Sequence, residues 1–312
     1  MRLAPSMVCA MAEERDLLVV GGGKMGAALV DGLLSSGWAR PDQVTVTEIA
    51  AGRRADLNAP AGLAGRYPGL RLLDGRLPAA HNAILAVKPG DAQGVCRRLG
   101  EAGVGRLLSI AAGVPLRDLE SWCPGGCAVV RAMPNMAALV RTSATAVSAG
   151  VSAGPPDIEW ATGIMRSVGT VVEVPERLLD AVTGLSGSGP AYVFLVAEAM
   201  IEAGVLSGLP RPVASELVIH TLLGSARLLS ETGESAEALR AAVTSPAGTT
   251  AAGLRQLEAH GARSALIEAI TAAVQRSREL GSSVRELGSS ASELGSSASE
   301  LGSSATGPSP AG

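Results

Sequence analysis

Aromatic side chains are nearly missing: the 312 residues include three Trp, two Tyr and one Phe. Proteins that hold single-stranded nucleic acid stack bases on aromatic platforms, so this scarcity argues against that class. Charge of one sign is lacking too, and a net charge of −3 gives no drive toward polyanions. Four cysteines form no disulfide framework in a chain this long, and reduced thiols are expected. His81, His220 and His260 do not cluster with Cys or paired acids. Zinc spacing and a P-loop are absent, so metal chemistry lacks support and no metal is expected. No uninterrupted apolar run reaches the roughly 18–20 residues of a membrane span. The amino terminus imitates a signal peptide only in outline, because Pro5 breaks its short apolar stretch. Residues 1–16 are therefore expected to be a disordered extension, and the protein cytoplasmic.

What is present is aliphatic. Hydrophobic residues make up 47% of the chain, enough for a sizeable core. Leu17–Val20 reads as a short strand, and β-branched residues mark another at Val44–Thr47. Further runs fall at 83–87, 107–110 and 129–130, with weaker ones at 145–147 and 171–174. Helical spacing separates them, which predicts βαβ units and a mostly parallel sheet over 17–174. From 175 to 280 the pattern is helical throughout. Val213, Leu217, Ile219, Leu222 and Leu223 make one of these helices nearly all apolar. Such a helix needs burial on most sides, which points to an intersubunit core. From Glu279 a Glu-Leu-Gly-Ser-Ser unit recurs every seven residues. One Leu per repeat beside Gly-Ser-Ser makes no coiled-coil seam, so 281–312 reads as a flexible low-complexity tail.

Gly21, Gly23 and Gly26 sit between the first strand and a helix, in the Gly-x-Gly-x-x-Gly order of a dinucleotide turn. Gly21 permits the turn, Gly23 lets a pyrophosphate approach the backbone, and Gly26 allows close helix–strand packing. Glu48, just past the second strand, would bond ribose hydroxyls and favour NAD. Arg53 and Arg54 follow it and would instead grip a 2′-phosphate. The two signals oppose each other, so NADH and NADPH both stay open. Two further Gly/Ser/Thr-rich segments, 184–192 and 243–250, each lead into a helix whose N–H groups would suit a carboxylate.

Several segments, taken in order, resemble the Δ1-pyrroline-5-carboxylate reductase family. They are Val20-Gly-Gly-Gly-Lys-Met-Gly26, Ala86-Val-Lys-Pro89, Ser109-Ile-Ala-Ala-Gly-Val114, Val130-Arg-Ala-Met-Pro-Asn135, the stretch from Asp180 to Tyr192 and that from Leu239 to Thr250. The resemblance covers about residues 17–280. It implies an α/β protein with an N-terminal Rossmann-type doubly wound sheet and an all-α C-terminal dimerisation domain. It implies reduction of (S)-1-pyrroline-5-carboxylate to L-proline with NADPH or NADH, in an interlocked homodimer that the family often builds into rings, up to a homodecamer. By motif match, Val20, Gly21, Gly22, Gly23, Lys24, Met25 and Gly26 would line the dinucleotide. Ala86, Val87, Lys88, Pro89, Ile110, Ala111, Ala112 and Gly113 would do the same. Thr250 would hydrogen-bond the imine nitrogen as the catalytic residue, and Glu176 would lie near that nitrogen. Ser245, Gly248 and Thr249 would hold the substrate, with Gly248 and Thr249 offering N–H groups to its carboxylate.

Ala247 stands where the family usually has Gly, which is harmless at helical dihedrals and strained at positive φ. A β-hydroxyacid or other imine reductase of the same layout is the alternative enzyme, but a β-hydroxyacid dehydrogenase would need a catalytic Lys and residues 176–280 contain none. A non-catalytic dinucleotide-binding regulator is the alternative outside enzymes.

Overall fold

A computed structural model describes residues 16–123 and 125–281. The expectations for residues 1–15 and 282–312, which cover nearly all of the extension and the tail, lie outside the described residues. The strands are β1 (Leu17–Val20), β2 (Val44–Thr47), β3 (Arg71–Leu73), β4 (Asn82–Leu85), β5 (Arg106–Ser109), β6 (Ala128–Met133), β7 (Ser143–Ala149) and β8 (Gly169–Glu173). They form one sheet in the order β3-β2-β1-β4-β5-β6-β7-β8. The first six are parallel in the 3-2-1-4-5-6 order of a dinucleotide-binding fold. β7 pairs antiparallel to β6, and β8 parallel to β7.

Successive residues of a strand face opposite sides of the sheet. Leu17 and Val19 therefore enter one core and Leu18 and Val20 the other. The first core takes Leu29, Val30 and Leu33 from α1 (Lys24–Ser35), Leu57 from α2 (Ala51–Asn58), and Leu63 from α3 (Leu63–Arg66). The second takes Cys96 and Leu99 from α4 (Ala92–Glu101) and Leu116 and Leu119 from α5 (Leu116–Trp122). On the first face, α6 (Pro155–Arg166) adds Trp160, Ile164 and Met165. Helices on both faces explain why the central strands are buried along nearly their whole length. Cys96, Cys123 and Cys127 are buried free thiols, and burial pushes the Cys96 thiol up to about 12.

The helical region continues with α7 (Leu179–Val182), a π-helical turn at Thr183–Gly187, α8 (Gly189–Leu206), α9 (Arg211–Glu231), α10 (Ala236–Ala242) and α11 (Thr249–Ala259). Residues 262–281 are helical as well and constitute α12. By packing, one compact unit comprises the described residues up to Gly187 together with 274–281; the other is Ser188–Ala273. The packing division falls thirteen residues beyond the change from strand to helix pattern expected at 174/175. Leu179 is fully buried, and Asn135 Nδ2 donates to the Ser186 carbonyl at 3.1 Å, which keeps 175–187 on the sheet-bearing unit. At the other end, the buried Ser277 hydroxyl donates to Asp180 at 2.7 Å and returns 274–281 to the same unit.

Within the second unit α8 and α9 pack together, with Gly204 facing Ala214. Ala214 and Val218 are the only buried residues of Ser188–Ala273. Phe194, Leu195, Leu217, Ile219 and Ile267 are all more than half exposed. The helical stretch Glu176–Leu206 is long and apolar enough to cross a membrane by length and composition alone, because a window average tolerates the polar residues that interrupt every apolar run.

Candidate active site

The glycine turn, Glu48 and the two other predicted cofactor segments all leave the carboxyl edge of the sheet. Gly21 N–H donates to the Thr47 carbonyl, Ala86 N–H to Val20 and Ile110 N–H to Leu85, at 2.8–3.0 Å. Loops 21–26, 48–50, 86–89 and 110–113 are thereby drawn to one place, where β1 and β4 flank the reversal of strand order. Open α/β sheets bind ligands at that reversal. Gly21 has φ +105°, and a Cβ there would run into the Ala86 carbonyl. A Cβ on Gly26 would strike the Gly21 carbonyl, which is how α1 comes so close to the turn. Above Gly23 there is open space. A bare backbone that opens onto space at a helix amino terminus, with orphan N–H groups, fits a pyrophosphate. A dinucleotide suits these residues on geometry alone.

Glu48 is more constrained than its sequence position suggests. Its Oε2 accepts from Gly22 N–H at 2.9 Å and its Oε1 from Ala50 N–H at 2.8 Å. Arg53 Nε donates to the Gly22 carbonyl at 2.7 Å, and Arg54 Nη1 donates to the carbonyls of Glu48 and Ile49. Arg53 braces the turn and Arg54 the loop after β2.

Glu176 belongs to the sheet-bearing unit. Its Oε1 accepts from Leu116 N–H at 2.6 Å, at the start of α5, and from Arg131 Nη1 at 3.1 Å on β6. The Arg131 side chain is only 7% exposed, so Glu176 is its counter-ion in a poorly solvated setting. A cleft of about 510 Å³ opens beside it, lined by Leu116, Glu120, Glu173 and Glu176 but by none of the glycine-turn residues.

In the helical unit, Val243–Thr250 folds as a turn into α11. Gly248 is the residue before the helix, and Thr249 and Thr250 are its first two members. Their N–H groups have no intrahelical acceptor, and among the described residues no side chain caps them. Gly248 N–H, expected to face a carboxylate, donates to the Ser245 carbonyl at 3.1 Å, so the free donors move to Thr249 and Thr250. Ser245 Oγ lies close enough to Gly248 that a Cβ there would strike it. Ala247 has φ +57°, the left-handed conformation at which a Cβ is strained.

A family model described as pyrroline-5-carboxylate reductase dimerisation matches residues 176–280. Among curated relatives, a pyrroline-5-carboxylate reductase from Methanosarcina acetivorans is 40% identical over 271 residues, which is 86% of this chain and 99% of the relative. One from a Synechocystis strain is 42% identical over 267 residues, covering 84% and 97%. The chain belongs to the pyrroline-5-carboxylate reductase family. Among solved structures, the Coxiella burnetii pyrroline-5-carboxylate reductase matches with a TM-score of 0.76 at 35% identity, over 86% of this chain and 98% of that one. The Plasmodium falciparum pyrroline carboxylate reductase, solved with NADP bound, matches with a TM-score of 0.74 at 26% identity over 86% and 99%. A second family model, NADP oxidoreductase coenzyme F420-dependent, matches residues 16–113. That span holds the glycine turn, Glu48 and the loop after β5.

Two contacts of this reductase-family chain were not foreseen. The buried Asp180–Ser277 hydrogen bond links residues 97 apart in sequence, and Arg131–Glu176 links residues 45 apart. Arg131 lies in a segment that carried the resemblance, yet a single Arg in a strand gives no sign of which acid it will meet. The 184–192 segment leads into a helix as expected, with α8 starting at Gly189 and Pro190 in its first turn. Thr183–Gly187 is a π-helical turn that links α7 toward α8, and Gly187 backs onto Met133 of β6.

Proposed function

We propose that the protein reduces (S)-1-pyrroline-5-carboxylate to L-proline, the last step of proline biosynthesis, using NAD(P)H. Full-length similarity to reductases of that substrate carries the reading, and an open dinucleotide turn and an uncapped α11 support it. When bound, the cofactor supplies the hydride. Val20 to Gly26, Ala86 to Pro89 and Ile110 to Gly113 would hold it along the carboxyl edge, with Glu48 and Arg53 at its adenosine end.

The helical unit supplies the substrate groups. The N–H groups of Thr249 and Thr250, at a helix amino terminus, favour a carboxylate without a formal positive charge. Ser245 adds a hydroxyl, and Gly248 shapes the turn. Thr250 Oγ1 would hydrogen-bond the imine nitrogen and set the orientation of C5. A protonated imine is already electrophilic, so placement and charge stabilisation suffice, with no nucleophile required. A carboxylate near the nitrogen favours the iminium form, and Glu176 is the candidate, although its Oε1 already serves Arg131 and Leu116.

The exposed apolar faces of α8, α9 and α12 support an interlocked dimer, assembled further into a ring. Assigning the Glu176–Leu206 surface to a second copy rather than to lipid supports a cytoplasmic location. A steady-state assay of proline formation with NADH and NADPH in parallel tests the reaction. Cofactor binding with no turnover of pyrroline-5-carboxylate would leave the regulator reading in its place.

A further inference from the structure

The choice between the two nicotinamide cofactors turns on a 2′-phosphate, and the surroundings of Glu48 bear on it directly. Hydrogen bonds from Gly22 and Ala50 hold the two carboxylate oxygens from opposite sides. A full negative charge is thus pinned against the glycine turn, at the carboxyl end of β2, where this fold meets the adenosine ribose. Each oxygen keeps a lone pair for a ribose hydroxyl. A 2′-phosphate offers the same oxygens no donor and adds nearly two negative charges beside them.

The arginines that would compensate are anchored to backbone carbonyls. Arg53 donates to the Gly22 carbonyl, with Nη1 3.7 Å from the Asp56 carboxylate. Arg54 donates to the carbonyls of Glu48 and Ile49 at 2.8 and 2.7 Å. Turning either guanidinium toward a phosphate costs bonds that hold the turn or the loop after β2. These contacts are mutually supporting, since Glu48 and Arg53 grip the N–H and the carbonyl of the same residue, Gly22.

We propose that Glu48 makes this site selective for NADH over NADPH, while Arg53 locks the turn and Arg54 the loop after β2 instead of binding phosphate. The inference rests on the dinucleotide reading of the turn and is independent of the imine substrate. Calorimetric titration of the full chain with NADH, NADPH, ADP-ribose and its 2′-phosphate tests it without catalysis. The unphosphorylated member of each pair should bind about tenfold tighter or better, on the scale of a like-charge clash. In Glu48→Ser that ratio should fall to about threefold or invert. Glu48→Gln, which keeps an acceptor for Gly22 N–H and loses the charge together with the acceptor for Ala50 N–H, should move the same way if the serine variant fails to fold. Equal or tighter binding of the 2′-phosphorylated ligands by the wild type would overturn the proposal, as would an unchanged ratio in a folded variant. If the wild type binds neither pair, the dinucleotide reading falls with it.

Discussion

The two packing units of this chain stabilise themselves in opposite ways. Residues up to Gly187 bury strands on both faces under helices, and their largest core side chains, such as Leu18, Ile84, Leu107 and Met165, are almost fully enclosed. Ser188–Ala273 encloses almost nothing, although α8 and α9 carry many large apolar side chains. Exposed apolar area on this scale is a standing free-energy cost, removed only when a second surface covers it. The first unit carries the means of its own folding within one chain. Stability of the second is tied to association.

The sharpest way to break this contrast is Leu217→Arg, in the middle of α9, where the side chain is 55% exposed. A charge there should abolish the dimer at micromolar concentration, read by sedimentation, while NADH binding by the first unit survives. A dimer that persists would place the interface on another face of the helices. Thr250→Ala should come next, lowering kcat/KM by about 10–1,000-fold, the scale of one oriented donor, with the dimer intact. Wild-type turnover in that variant would remove Thr250 from the mechanism.

A smaller effect is expected inside the first unit. Glu176→Gln leaves the buried Arg131 guanidinium without its counter-ion and should lower unfolding stability by about 1–2 kcal/mol, discounted because Glu176 is one-third exposed. Chemical denaturation measures it, and unchanged stability would mean that Arg131 finds another partner. The smallest change is a gain. Ala247→Gly relieves the left-handed alanine at some entropic cost and should stabilise by up to about 1 kcal/mol. A loss in the same melt would show that the alanine methyl makes a compensating contact.

Much of the fold was legible in the sequence. β1 and β2 lie where their aliphatic runs predict them, and β4 and β5 begin one residue early. β3 was not foreseen, because three residues at a sheet edge carry no alternation to detect. The glycine turn was readable because Gly21 and Gly26 each answer a steric need and Gly23 leaves the backbone open. The hold of Glu176 on Arg131 was not, since a salt bridge 45 residues apart leaves no periodic trace. Nor was the donation of Gly248 N–H to Ser245, which depends on how tightly that turn closes.

The sequence by itself determined the strand pattern, the dinucleotide turn and the helical region that needs a partner. These follow from periodicity, steric need at glycine and surplus apolar surface, all of which are properties of neighbours in the chain. Only the tertiary structure decided that the packing boundary falls after Gly187, that α12 returns to the first unit through Ser277 and Asp180, and that Ala247 is held at φ +57°. It also committed Arg53 and Arg54 to backbone carbonyls, where spacing alone had left them equal candidates for a phosphate. Ala247 and Arg54 answer to neighbours in their own loops, and the physical reason is common to the rest. Each depends on which groups meet once the sheet has brought distant loops together, and hydrogen bonds and ion pairs form with whatever lies within about 3 Å, however far apart in sequence.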